Sequence, residues 1–221
     1  MLVSAAARLN RVGLGDLAPS DSVSFPSRGY GAFSLTAITA FAILLKLRTP
    51  SVGGIVVTAE EWALAASAFF SGLGAGLLGM LCTILRPMQA AMTGQEFRDF
   101  MQTFIWYGAD LPGLALGKVF NYAWSAGTTI ASIVALVLLF DDPGSTAFVL
   151  TAIALGIWIV GILIVSNVWK TPTYRGILAW DPEALPADWE AVRQRYFTIN
   201  WIQLATTWAA FALFLVALIS L

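Results

Sequence analysis

Residues Thr146 to Val168 read TAFVLTAIALGIWIVGILIVSNV, without one Asp, Glu, Lys or Arg among them. About 20 apolar residues in helical form reach roughly 30 Å, the thickness of a bilayer's hydrocarbon core, so this stretch is expected to span a membrane. Three further uncharged runs, Trp62 to Leu85, Val119 to Phe140 and Ile199 to Leu221, repeat the pattern. The solvent for most of the fold is therefore lipid. The 58% apolar content and a mean hydropathy of +0.78 agree, since they leave too little polar surface to wrap a water-soluble globule of 221 residues. A transmembrane barrel would show alternating segments of about ten residues, a pattern this sequence lacks. The expected fold class is all-α, an integral membrane helical bundle with a four-helix core plus one extra N-terminal transmembrane helix, five spans in total.

The extra span is Phe33 to Leu47, a shorter run that ends among Lys46, Arg48 and Pro50. If it crosses, the Lys and Arg residues divide ten on one side and two on the other; if it lies flat, they divide seven and five. The positive-inside bias favours crossing, with the N-terminus cytoplasmic and the C-terminus outside, as in a bacterial inner membrane. Residues 1–30 then form a cytoplasmic arm, either a tail or a short amphipathic segment with Leu2, Ala6 and Leu9 on its apolar side. They do not read as a secretory signal, because Arg8 and Arg11 follow the apolar start and a Pro/Ser/Gly-rich stretch comes next. Residues 31–58 supply the extra helix and an outer loop, and residues 59–221 the bundle.

Helix starts are marked by two capping boxes, Thr58-Ala-Glu-Glu61 and Thr93-Gly-Gln-Glu96. The second opens an interfacial helix near 94–107, with Phe97, Phe100, Met101 and Phe104 on one side and Arg98, Asp99 and Gln102 on the other. A bend is expected at Asp110-Leu-Pro-Gly113, and Asp141-Asp-Pro-Gly144 reads as a tight turn. The prolines at 172, 182 and 186 are expected to break any helix between Trp169 and Ala187. The final helix follows without interruption and projects about three turns beyond the membrane. Trp62, Trp106, Trp169, Trp180 and Trp189 read mainly as interfacial anchors.

Gly72, Gly76 and Gly79, with Ala75, form a small-residue face for close helix approach. With no strand before them, they do not make a dinucleotide loop. Cys82 is expected to be a buried small hydrophobe and, as the single cysteine, excludes an internal disulfide. A net charge of −1 gives no case for nucleic acid as a partner. With no histidine, the chain lacks ligands for haem, copper or zinc, so neither metal nor cofactor is expected. No ionisable residue lies deep in a span, which argues against a proton or ion pump.

Two polar stripes run along apolar helices. Asn121, Ser125, Thr128 and Ser132 share one face of the third span, and Trp189, Arg193, Tyr196, Asn200, Gln203 and Thr207 share one face of the last helix. Both are expected to point into the bundle, because acyl chains leave polar groups unsatisfied. Asn167 and Lys170 end the fourth span, and Arg86 the second, at the same inner mouth as Asn121, Tyr122 and Asn200. Either these groups are interhelical glue, or they line a pocket open to the inner leaflet that suits a planar or amphiphilic ligand.

From Trp62 onward the chain resembles the anthrone oxygenase-like family of small four-helix membrane proteins, long catalogued as a domain of unknown function. The resemblance rests on the glycine-rich first helix running into Arg86-Pro87-Met88, on Glu96-Phe97 with Met101-Gln102, and on a span ending near Asn167. It also rests on Asp188-Trp189-x3-Arg193-x-Arg195-Tyr196-x3-Asn200, with Tyr196 and Gln203 standing where the pattern leads to Trp and Arg. The resemblance implies oxygenation of an activated carbon in an anthrone-like molecule without metal or flavin. A base would remove an acidic C–H, and donors would hold the enolate oxygen. Asp188 or Glu190 is the implied base, with Arg193, Asn167 and Asn200 as donors to the enolate oxygen. Arg86, Asn121, Ser125, Asn167, Tyr196, Asn200 and Gln203 would line the substrate site. A different class is equally compatible with the apolar, glycine-faced helices: a non-catalytic subunit packing on a larger membrane complex, or binding lipid or pigment there.

Overall fold

The computed structural model describes residues 51, 52, 55–102 and 115–221, with side chains described for 57–102 and 123–221. The extra N-terminal span, the arm before it, the bend at Asp110 and the side chains of Asn121 and Tyr122 lie outside these. A two-residue antiparallel ladder, β1 (Ser51–Val52) with β2 (Ile55–Val56), comes first. All else is helix and turn. α1 (Ala59–Met80) starts from the Thr58 capping box, in which Thr58 Oγ1 accepts from the Glu61 N–H at 3.2 Å and Glu61 Oε2 accepts from the Thr58 N–H at 2.6 Å. The helix passes through a widened π turn, Leu81–Leu85, into α2 (Arg86–Ala90). α3 (Gly94–Met101) starts from the second capping box, whose backbone and hydroxyl bonds hold the Glu96 carboxyl below its ordinary pKa.

α4 (Ala115–Leu138) ends in one tight turn, and α5 (Thr146–Trp158) starts at Ser145, whose hydroxyl accepts from the Phe148 N–H. Two more π turns, Ile159–Ile164 and Ser166–Lys170, lead into α6 (Thr171–Leu178); α7 (Trp189–Ile219) closes the chain. Among the described residues four helices are long and apolar enough to cross a membrane: Ala59–Ala90, Ala123–Asp141, Thr146–Leu178 and Trp189–Ile219.

The helix therefore runs on through Pro172, where a break was expected. A proline ring inside a helix collides with the carbonyl four residues earlier and removes one hydrogen bond. For Pro87 and Pro172 those carbonyls belong to Thr83 and Val168, which lie inside the two widened turns. Widening the preceding turn relieves the collision and lets each helix continue.

α1 packs on α4 and α7, and α7 on α5, with α4 and α5 touching less closely. The register is antiparallel throughout. A Cβ at Gly74 would meet Trp124 while one at Gly127 would meet Phe70 at 2.7 Å; Gly72 faces Phe211, whereas Gln89 faces Arg193. Gly161 packs on Thr206. Of the expected glycine face, only Gly72 receives a neighbour; Gly76 and Gly79 open onto unfilled space, and Gly74 carries the closest approach instead. Outward positions such as Phe69, Ile84, Val160 and Trp208 are large and apolar, as a lipid-facing surface requires.

There are two cores. One fills the bundle, with Leu64, Leu78, Trp124, Ala154, Trp158 and Phe214. The other caps one end and is aromatic, with Phe97, Met101, Tyr174, Ile177, Trp180, Tyr196 and Phe197. Trp180 is thus buried in this cap and is no interfacial anchor, while Trp62 and Trp169 remain exposed as anchors do.

Candidate functional site

The last helix places its polar stripe inside. Arg193, Asn200 and Gln203 are 6%, 4% and 2% exposed, and Tyr196 and Thr207 are buried with them. Thr128 and Ser132 on α4 are also fully buried. Among the described side chains the two stripes do not bond to each other. Thr128 Oγ1 donates to the Trp124 carbonyl at 2.8 Å, Ser132 Oγ to Thr128 at 2.6 Å, and Thr207 Oγ1 to Gln203 at 2.6 Å, each within its own helix. Short hydroxyl side chains reach their own preceding turn more easily than a neighbouring helix, so these residues satisfy themselves without gluing anything.

The bonds that do cross between helices gather near the aromatic end. Lys170 Nζ donates to Gln203 Oε1 at 2.8 Å, and Gln203 Nε2 donates to Ser166 Oγ at 2.7 Å. Both of Gln203's polar atoms are thus engaged with the helix that carries Ser166 and Lys170. The resemblance led to a cation at position 203; here an ammonium from a neighbouring helix sits on the glutamine placed there. Cys82 is buried in the first π turn. Arg193 Nη1 donates to the Met92 carbonyl at 2.6 Å and the Gln89 carbonyl at 3.3 Å, and its guanidinium lies 4.5 Å from the Trp189 ring centre. Tyr174 donates its hydroxyl proton to the Met101 carbonyl at 3.2 Å, tying α6 to α3.

Two buried polar atoms in this region have no hydrogen-bond partner, Asn200 Oδ1 and Arg193 Nε. Buried polar atoms are nearly always bonded, so each marks a place where something polar fits.

Of the residues expected at the site, Arg193, Tyr196, Asn200 and Gln203 are brought together on one buried face. Ser125 is half-buried on α4, its carbonyl accepting from Thr129. Asn167 faces outward and spends its amide on the Leu163 carbonyl at 2.7 Å, because the π turn at Ser166–Lys170 rotates the residues around it. Arg86 is exposed, with its guanidinium 5.6 Å from the Phe197 ring centre. Asp188 and Glu190 are both exposed at the start of α7, away from the buried cluster. Sequence reasoning passed over Ser166, read Cys82 as the buried small hydrophobe that it is, and treated Lys170 as a rim residue. The signal that locates all three is the pair of prolines, since each lies in a widened turn directly before Pro87 or Pro172, and such turns recur at functional sites. Among the described residues, no three Cys, Asp or Glu side chains gather as metal ligands would. No protein-family model matches the chain, and neither curated proteins nor solved structures show a similar one.

Proposed function

We propose that this is an integral membrane protein that binds a planar, hydrophobic small molecule at the aromatic end of its bundle and oxygenates it, as the resemblance to anthrone oxygenase-like proteins implies. The observation that carries the reading is Asn200, a buried amide whose oxygen has no partner on a stripe that also holds the unpartnered Arg193 Nε. Aromatic rings of the cap suit a flat ligand, and the amide suits a hydroxyl or carbonyl on its edge. Arg193 Nη1 is committed to backbone carbonyls, which leaves Arg193 Nε and the Tyr196 hydroxyl as buried donors for an enolate oxygen, while Asn200 Oδ1 accepts from a substrate hydroxyl. Asp188 and Glu190 serve as bases only for a substrate whose reacting carbon reaches the exposed start of α7.

We orient the aromatic end toward the cytoplasm. The seven Lys and Arg residues of the described chain (Arg86, Arg98, Lys118, Lys170, Arg175, Arg193, Arg195) flank that end, whereas Glu60, Glu61, Asp141 and Asp142 flank the other. The test is oxygen uptake by the purified protein with anthrone, which should yield one anthraquinone and one water per O2 consumed. Asn200→Leu should slow it by roughly 10- to 100-fold, the loss expected for one buried hydrogen bond to the substrate. Wild-type protein that consumes no oxygen above the buffer rate removes the catalytic reading.

A second reading, an accessory subunit of a larger complex, draws on Gly76 and Gly79. Both present small surface to open space, where another chain's helix would fit closely.

A further inference from the structure

Among the described elements α1 is packed on two sides, by α4 and α7, and is bare on the third. Trp62, Phe69 and Gly76 recur every seven residues along that bare face, all of them exposed, and a Cβ built at Gly76 would meet nothing. Acyl chains cover large outward side chains well. A glycine gives them little to pack on and lets another helix come close.

The stretch of chain before α1 is held beside it. Ser51 pairs with Val56 and Val52 with Ile55, so the chain reverses in one tight hairpin, and α1 begins three residues after Val56. Leu47 lies four residues before Ser51, a reach of at most about 14 Å, so the apolar run that ends there starts beside the first turns of α1. That run, residues 34–47, reads SLTAITAFAILLKL and carries a single charge, Lys46. As a helix it is about 21 Å long, the distance along α1 from Trp62 to Gly76. It falls short of the roughly 30 Å of a hydrocarbon core, and such a helix gains by packing on a neighbour. Its spacing puts Thr36, Thr39 and Ala40 on one side and Ile38, Phe41 and Leu45 on the other. Small side chains suit helix contact, and large ones suit lipid.

Charge points the same way. Among the described residues the end of the bundle where α1 starts carries Glu60, Glu61, Asp141 and Asp142 and no Lys or Arg. Lys46 and Arg48 close the run at that same end.

We propose that residues 34–47 dock as a transmembrane helix, antiparallel, on the bare face of α1. Ala40 then lies against Phe69, Thr36 is level with Leu73 and Ser34 with Gly76, and Lys46 and Arg48 come beside Glu60 and Glu61. The occupant of this face is the chain itself, and Gly79 lies beyond the end of the docked helix. Nothing in this placement depends on a ligand.

Thiols introduced into the full chain in a Cys82→Ala background test the placement in intact membranes. The reagent is a short bifunctional one that joins Gly72→Cys to Phe211→Cys, two positions that face each other. With it, Ala40→Cys should join Phe69→Cys roughly tenfold faster than it joins Gly156→Cys, an exposed position at similar depth on α5, across the bundle. Equal or slower joining of the 40/69 pair overturns the proposal. A single Phe69→Cys variant that joins to itself faster than the 40/69 pair forms also overturns it, because a second copy then covers the face. Ala40→Leu gives an independent readout: a bulky side chain in the contact should lower the dodecyl sulfate concentration at which the protein unfolds, whereas a lipid-facing leucine is tolerated. An Ala40→Leu variant as stable as wild type contradicts the docking.

Discussion

Replacing Trp158 with Ala should destabilise the bundle by about 3 kcal/mol. The ring is fully buried, meets Trp124 edge-on at 5.3 Å between centroids and 89° between planes, and donates from Nε1 to Thr129 Oγ1 at 3.1 Å. In a water-soluble core such a truncation loses both water exclusion and packing. Here the unfolded reference stays in lipid, so the loss comes from dispersion contacts and the cavity left between α4 and α5. That pair has the least contact of the neighbouring helix pairs in the ring, so the Trp124–Trp158 contact carries an unusual share of it. Trp158→Phe keeps most of the ring and loses only the hydrogen bond, which in membrane proteins averages about 0.6 kcal/mol. Unfolding in increasing dodecyl sulfate measures both. An alanine variant within about 1 kcal/mol of wild type contradicts the packing described.

Arg193→Ala should cost a similar amount, about 3 kcal/mol, for a different reason. The last carbonyls of a helix have no partner within it and carry the negative end of its dipole. At the end of α2 those of Gln89 and Met92 are met by the guanidinium of a residue more than 100 positions later, and the cation also stacks on Trp189. Removing it leaves the Met92 carbonyl bare in the aromatic cap, while the Gln89 carbonyl keeps only the long bond from the Met92 N–H at 3.4 Å. Lysine at 193 keeps the charge but presents a single ammonium in place of a fork, and should recover less than half of the loss. The resemblance implied Arg193 as a donor to the substrate; the geometry makes it a cap for another helix, so lost activity in Arg193→Ala says nothing of catalysis unless folding is measured beside it. Dodecyl sulfate unfolding supplies that control, and an alanine variant as stable as wild type contradicts the capping role.

The four spans were legible because a run of more than 20 uncharged residues admits few other structures, and the two capping boxes were legible because their chemistry is local. The inward turn of Arg193, Tyr196, Asn200, Gln203 and Thr207 followed from helical periodicity alone. What spacing could not show was which helix each residue would meet. Gln203 finds Ser166 and Lys170, where the hydroxyl face of α4 had been expected, because that face bonds its own backbone. Asn167 was misplaced for a related reason. A regular helix puts it level with Asn121 and Asn200, and the π turn around it changes the angle per residue. The prolines that cause such turns are visible in the sequence, but their usual reading is a break, and only packing decides between a break and a widened turn.

The inward placement of Gln203 against the Ser166 side of its neighbour underlies everything proposed for the site. Thiols introduced in a Cys82→Ala background test it directly, with Ser166→Cys paired with Gln203→Cys and, as the contrast, Asn167→Cys paired with Gln203→Cys. A short bifunctional thiol reagent applied to intact membranes should join the 166/203 pair rapidly and leave the 167/203 pair unjoined. Joining of 167 to 203 with none between 166 and 203 would mean that the stripe meets a different face, and the site built on it would not exist.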